Sequence, residues 1–292
     1  MFEIVDKNKF KTKIIVFFFF LLVAGVIYAF CELSGLGLGI FTVPLALIIA
    51  IASTFGSYYY SDKIILGISR ARPAGHVEDK MLRNSLEGLC LAAGMPIPRL
   101  YIIEDSAPNA FATGRNPENA VVCVTTGLLE KLDSYELEAV LGHELAHIKN
   151  YDILLSAVAT VMVGIITLLA DWFFRIGFRS RSNSRNSLSP IIAIVGIVLM
   201  IFAPLIAQIM RFALSRNREY LADAMSIEFC RNPDALVRAL EKLTRDKEPL
   251  EAANKATANM YIVSPFKGSF TAELFSTHPP MDKRIDAIKS IH

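Results

Sequence analysis

Four stretches without a charged residue, Ile14 to Phe30, Leu36 to Tyr60, Ile153 to Ala170 and Pro190 to Met210, interrupt this 292-residue chain. They constrain its fold more than any other feature, because apolar runs of this length cross a bilayer as helices or lie buried beneath one. The chain is 53% hydrophobic with a mean hydropathy of +0.42. Its apolar residues sit in blocks instead of alternating through amphipathic elements, which is a membrane protein's distribution. The sequence therefore predicts an N-terminal transmembrane hairpin over 1–61 and a second apolar hairpin over 153–210. Residues 62–152 and 211–292 are ordinary globular sequence, together enough for one compact domain divided by the second hairpin.

Lys7, Lys9, Lys11 and Lys13 precede the first block, and Lys63, Arg70, Arg72, Lys80 and Arg83 follow the second, while the turn between the blocks carries only Glu32. By the positive-inside rule both ends of this hairpin, and with them the globular portion, face the cytoplasm. The first block lacks a small-residue cleavage site and a second span follows at once, so it reads as a retained anchor and not a signal peptide. Arg175, Arg179, Arg181 and Arg185 in the second connecting loop run against that rule and leave the second hairpin's topology open. The loop, rich in Ser, Asn and Arg, reads as solvated and is assigned no binding role. A net charge of +2 follows mostly from this topology and points to no nucleic-acid partner.

His143-Glu144-Leu145-Ala146-His147 is an H-E-x-x-H motif. Asp133 and Glu136 read as a capping box, and Leu137, Val140, Leu141, Leu145 and Ile148 recur at helical spacing, so the motif belongs on a helix. There the two imidazoles are i, i+4 neighbours that can converge on one ion. Glu144, about 100° further round, can lean over the metal without ligating it. Cys31, Cys90, Cys123 and Cys230 are scattered without a C-x-x-C pair, which argues against a closed structural zinc site and fits reduced thiols. A catalytic zinc needs a third protein ligand, a histidine or a carboxylate. In Ser215-Arg216-Asn217-Arg218-Glu219-Tyr220-Leu221-Ala222-Asp223, the i, i+4 pair Glu219 and Asp223 can face the ion from another helix. Glu219 is assigned as ligand and Asp223 as the acceptor that fixes a ligand histidine's tautomer. The bland alternative is a solvated helix face salt-bridged to Arg216 and Arg218. If the flanking segments are helical, His147 lies roughly 9 Å before the third apolar block and Glu219 roughly 13 Å after the fourth. A hairpin between them brings the two halves of the site to the same membrane face.

Elsewhere in the globular portion, Val77 to Ala93 reads as an amphipathic helix ended by Gly94, Pro96 and Pro98. Arg99 to Glu104 and Ala120 to Thr125 read as strands of a small sheet. Asn232-Pro233 caps a helix over Asp234 to Leu243, and a last helix is expected near Met281 to Ile291. Tyr220 is better read as packing, and His76 and His292 as surface residues.

The H-E-L-A-H helix, the S-R-N-R-E-Y-L-A-D segment, Asn109-Ala110-Phe111-Ala112-Thr113-Gly114, Ser276-Thr277-His278-Pro279-Pro280 and the four apolar blocks resemble, in this order, the HtpX family of membrane-bound zinc metalloproteases. More distant relatives include the Ste24-type CAAX prenyl proteases. The resemblance spans nearly the whole chain. It implies an α+β integral membrane protein with apolar helical hairpins and a mainly helical gluzincin domain carrying a small β-sheet. It further implies one zinc ion per chain on His143, His147 and Glu219, with Glu144 as general base. The implied role is hydrolysis of misfolded or damaged membrane proteins, for quality control, on the cytoplasmic face of a bacterial inner membrane. It also places Asn109, Ala110 and Phe111 on a substrate-binding edge strand, where an extended peptide could be read through its backbone; the alternative is a plain surface turn. His278 resembles a family histidine near the active site that could stabilise an oxyanion, or else packs the entry to the last helix.

Three rivals stand beside this reading. An intramembrane metalloprotease is disfavoured because Glu136, Glu138, Lys149, Asn150 and Asp152 flank the motif and would be costly to bury in hydrocarbon. A CAAX prenyl-peptide protease is expected to need a larger helical chamber than four apolar blocks supply. A non-catalytic scaffold with structural zinc would have no use for Glu144. Oligomeric state is not legible in the sequence.

Overall fold

The computed structural model describes residues 2–33, 38–75, 80–180, 197, 199, 216–252, 257–263 and 279–290. Apart from Ile197 and Leu199, the fourth apolar block lies outside the described residues, as do Arg181, Arg185, His76, His278 and His292. The chain divides into two compact units. One comprises Met1–Lys9, Asp62–Ala157 and Leu214–His292, and the other Phe10–Ser61 and Val158–Ala213.

The first unit is mainly helical around a four-stranded mixed sheet of order β1-β2-β4-β3. The strands are β1 (Arg72–Pro73), β2 (Arg99–Ile103), β3 (Ala110–Thr113) and β4 (Val121–Thr125). β2 runs parallel to β4 with Arg99 opposite Val121, whereas β3 runs antiparallel to β4 with Ala110 opposite Val124. Every residue of β4 is buried, so its apolar run is continuous instead of alternating. β3 is left at the edge.

Among the described residues, the helices of this unit, numbered in chain order with those of the second unit, are α3 (Ser61–Ile68), α4 (Lys80–Ala93), α5 (Thr126–Lys131), α6 (Ser134–Lys149), α8 (Asn217–Cys230), α9 (Pro233–Arg245) and α10 (Met281–Lys289). The capping box forms as expected: Asp133 Oδ1 accepts from the Glu136 amide at 2.9 Å, and Glu136 Oε2 accepts from the Asp133 amide at 3.0 Å. Leu86, Leu137, Val140, Leu141, Leu145, Leu236, Leu240 and Ile288 share one core that joins α4, α6, α9 and α10. Each fully buried leucine contributes roughly 1.5–3 kcal/mol. α6 is buried on nearly all sides, which is unusual for a helix bearing polar chemistry and means that those polar groups are partnered inside the protein.

Gly142 lets α8 approach α6 closely. A Cβ at this position would stand 2.9 Å from Ser226 Oγ and 3.3 Å from its Cα. Ser226 Oγ in turn donates to the Ala139 carbonyl at 2.6 Å, tying the two helices together one turn from the H-E-x-x-H segment.

The second unit contains most of α1 (Phe2–Leu33), all of α2 (Thr42–Tyr59) and the greater part of α7 (Asp152–Ser180). Among the described residues three helical segments are long and apolar enough to cross a membrane: Glu3–Glu32, Gly39–Tyr59 and Asp152–Asp171. Phe17, Phe18, Leu21, Ile48, Ile51 and Phe55 are exposed, an apolar exterior suited to lipid and not to water. α2 buries its small residues Thr42, Ala46, Ala50 and Ser57 instead, the pattern of membrane helices that pack through small side chains. α1 begins at Phe2, well before the apolar block, and its first turns belong with the other unit.

Candidate active site

The capped helix α6 carries His143 and His147 one turn apart, their rings edge to face with centroids 4.7 Å apart. The two Nε2 atoms approach to 3.1 Å. From α8, Glu219 brings Oε2 to 3.7 Å from His143 Nε2 and Oε1 to 3.8 Å from His147 Nε2. Ligand atoms of the three residues lie within 4.8 Å of one another, as a common metal ion requires.

Each ring is oriented from behind by a carboxylate. Asp223 Oδ1 lies 2.9 Å from His143 Nδ1, and Asp152 Oδ2 lies 2.9 Å from His147 Nδ1. Because a carboxylate only accepts, both Nδ1 atoms carry hydrogen, and this turns both Nε2 atoms toward each other and toward Glu219, where an unprotonated Nε2 offers its lone pair to a metal. Such convergence is repulsive unless positive charge sits among the three. Asp223 thus stands behind His143. Asp152, which the sequence showed only as a flanking charge, is the counterpart for the other histidine. Asn150 and Tyr151 are all that separates α6 from α7, so the first residue of α7 reaches back to the last turn of α6.

Arg284 on α10 was not singled out in the sequence. It is fully buried, and its Nη2 and Nε donate to Asp223 Oδ1 and Oδ2 at 2.6 and 2.9 Å, the two-pronged geometry suited to guanidinium and carboxylate. Its Nη1 is 3.9 Å from Glu219 Oε2. One signal could have exposed it: in α10 this charged residue shares the buried face with Ile288, and an arginine on an apolar face is almost always paired.

Burial opposes charge on His143, as does Arg284, but Asp223 and Glu219 outweigh both and lift it to about 9. Burial also works against charge on Asp223, yet Arg284 and then His143 hold its carboxyl below the usual range. Glu144 is pushed above the ordinary carboxylate range by burial, against the pull of His143, His147 and the Ala112 amide. Glu144 lines a cleft with Ala112, His147, Glu219, Asn259 and Met260.

These surroundings suit a divalent cation. Glu144, Asp152, Glu219 and Asp223 are all buried, and among the described residues the cations beside them are Arg284 and Arg218, the latter with Nε 3.3 Å from Glu219 Oε1. With both histidines in the neutral form that ligates a metal, four formal negative charges against two positive ones leave a surplus of two inside the protein, which would be costly if uncompensated.

The three residues expected on a substrate edge divide. β3 is the edge strand, but the Asn109 carbonyl accepts from the Thr125 amide, so by alternation Asn109 and Phe111 turn their main-chain groups inward to β4. Phe111 is buried edge to face against Tyr261. Ala110 faces outward, but its carbonyl already accepts from the Ile262 amide, and the Asn109 side chain bonds both main-chain groups of Val263. The sequence had no means of showing that a segment some 150 residues away covers this part of the edge. Tyr220, read as packing, is partly buried on α8.

A family model described as peptidase family M48 matches residues 76–292. A protein named as a homologue of the protease HtpX from Dictyoglomus turgidum is 43% identical over 288 residues, covering 99% of this chain and 94% of that protein. Another so named from Thermococcus sibiricus is 45% identical over 252 residues, 84% of this chain and 85% of that protein. One from Listeria monocytogenes serotype 4a is 38% identical over 312 aligned positions, covering 100% of each. Among solved structures, the crystal structure of S. mikatae Ste24p matches with a TM-score of 0.51 at 16% identity, over 99% of this chain and 67% of that chain, a likeness of fold. With a site able to hold a metal ion and helices able to span a bilayer, the chain belongs to peptidase family M48, among the HtpX-type membrane metalloproteases.

Proposed function

We propose that the chain is a zinc-dependent endopeptidase that cleaves misfolded or damaged membrane proteins beside the cytoplasmic face of a bacterial inner membrane. The observation that carries this reading is the convergence of His143 Nε2, His147 Nε2 and the Glu219 carboxylate beside a buried, non-ligating Glu144. Two imidazoles and one carboxylate form a donor set suited to catalytic zinc, which supplies Lewis acidity to a carbonyl and makes a coordinated water more acidic. Glu144 takes the proton from the attacking water and returns it to the leaving amine, a task favoured by a carboxyl held above its ordinary range. Asp223 and Asp152 keep the two rings in the ligating tautomer. Arg284 neutralises Asp223 without entering the cleft.

A substrate in extended conformation would add to the β3 edge near Ala112, beyond the stretch held by Ile262 and Val263, and so pass in front of Glu144. Backbone pairing reads no particular side chain, which suits a protease for unfolded substrates. The lysines and arginines around the first hairpin support the cytoplasmic orientation. The assignment of 62–152 and 211–292 as the two parts of the catalytic domain belongs to this proposal, with residues 1–9 added to it.

The test is cleavage of an unfolded protein by the detergent-purified, zinc-loaded chain, with Glu144→Gln in parallel and metal content measured for both. Cleavage by the wild type alone, with zinc in both, is expected. Equal cleavage by the two would refute the assigned mechanism, and zinc without cleavage in either would favour a scaffold.

A further inference from the structure

The carboxylate behind His147 is itself held by a residue from the opposite end of the sequence. Asn8, in the first turns of α1, donates from one amide nitrogen to Asp152 Oδ1 at 2.8 Å and to the Asn150 carbonyl at 2.9 Å. Both hydrogens of that nitrogen are thereby used. Asn8 and Asp152 are buried, and the other Asp152 oxygen serves His147. With one oxygen fixed by Asn8 and the other by His147 Nδ1, the carboxylate has no free rotation left.

The turn that carries Asp152 needs such support. Tyr151 adopts a left-handed backbone with φ 59°, which a bulky residue seldom does and which persists only where its surroundings enforce it. Asn8 grips the carbonyl before it, and Lys9 Nζ sits 4.2 Å above the Tyr151 ring. Two consecutive residues of α1 therefore clamp the three-residue stretch that delivers Asp152.

We propose that Asn8 is a positioning residue of the metal centre, acting through Asp152 on His147. On this view the first turns of the anchor helix form part of the catalytic apparatus. Asn8 is suited to the task because it is neutral. A lysine or arginine here would draw charge from Asp152, whereas an amide fixes the carboxylate and leaves its negative charge to strengthen His147 as a donor.

The inference rests on the zinc reading above, and the experiment separates the two. Zinc affinity of the full-length chain is measured by competition with a chromophoric chelator, and the visible spectrum of the Co(II)-substituted protein is recorded, for wild type, Asn8→Leu and Asn8→Asp. Both variants keep the shape of Asn8 and remove the donor. A loss of about tenfold in zinc affinity, the lower end for groups behind a metal ligand, is expected in each folded variant, with an altered Co(II) spectrum. Asn8→Asp should lose more because it also sets a second carboxylate against Asp152. Affinities within twofold of wild type with an unchanged spectrum would overturn the inference. If one variant does not fold, the other decides; loss of fold in both assigns Asn8 to the fold itself and also overturns it. A wild type that takes up no zinc refutes the metal reading and this inference with it.

Discussion

His143 and His147 belong to one motif, but they are braced in different ways. Behind His143 stands Asp223, doubly hydrogen-bonded to the buried Arg284 of the C-terminal helix. Behind His147 stands Asp152, bonded to the neutral amide of Asn8 near the N-terminus. The first brace is a fully buried ion pair and the second a buried hydrogen-bond relay. Breaking the former strands a charge in the protein, while breaking the latter leaves only a loosened carboxylate. The two histidines should therefore fail differently: the His143 side through stability, the His147 side through affinity for the proposed metal.

The largest expected effect leaves both braces intact. Glu144→Gln should lower turnover by about 10²–10⁴-fold while metal content, measured by elemental analysis, stays at the wild-type level. Next comes Arg284→Met, which leaves the buried Asp223 with His143 but without its guanidinium and should destabilise the catalytic unit by about 3–5 kcal/mol in a denaturant titration. Were Arg284→Met as stable as wild type, the contrast between the braces would collapse. Asp152→Asn should lower zinc affinity by about 10–100-fold with much less change in the unfolding midpoint, read by chelator competition on the folded protein. The smallest effect belongs to Lys9→Ala, which removes a cation from the Tyr151 ring. It should cost about 0.5–1 kcal/mol of stability, and a larger loss would mean that Lys9 bears more of the turn than its position suggests.

How much of this the sequence disclosed follows from separation along the chain. The H-E-x-x-H segment, the capping box at Asp133 and Glu136, and the pair Glu219 and Asp223 lie within one or two helical turns, where spacing dictates which side chains share a face. Arg284 meets Asp223 across 61 residues, and Asn8 meets Asp152 across 144. No local period encodes either meeting. Asp152 is a subtler case, since it lies five residues from His147. It escaped notice because the helix breaks at Asn150 and Tyr151, and a continuous helix would have turned that carboxylate elsewhere. The edge strand shows the same limit. The family resemblance alone implied its existence, since Ala110-Phe111-Ala112-Thr113 carries no strand pattern of its own, and the covering of Asn109 and Ala110 by Ile262 and Val263 is a property of the assembled fold.

The glycine at position 142 has a consequence for how the protein meets a shortage of metal. With α6 and α8 drawn together through Ser226, and α6 set in an apolar core, the histidines and Glu219 are held in place by packing and not by the ion they would share. Small zinc domains collapse when a chelator strips them, because their folding energy is the binding energy. Here the stripped enzyme should keep its far-ultraviolet circular dichroism at room temperature and unfold earlier on heating, as ligand linkage and the uncompensated charge of the emptied site require. A cell short of the metal would then hold a reserve of idle but intact protease, which regains activity as soon as the ion returns and without new synthesis.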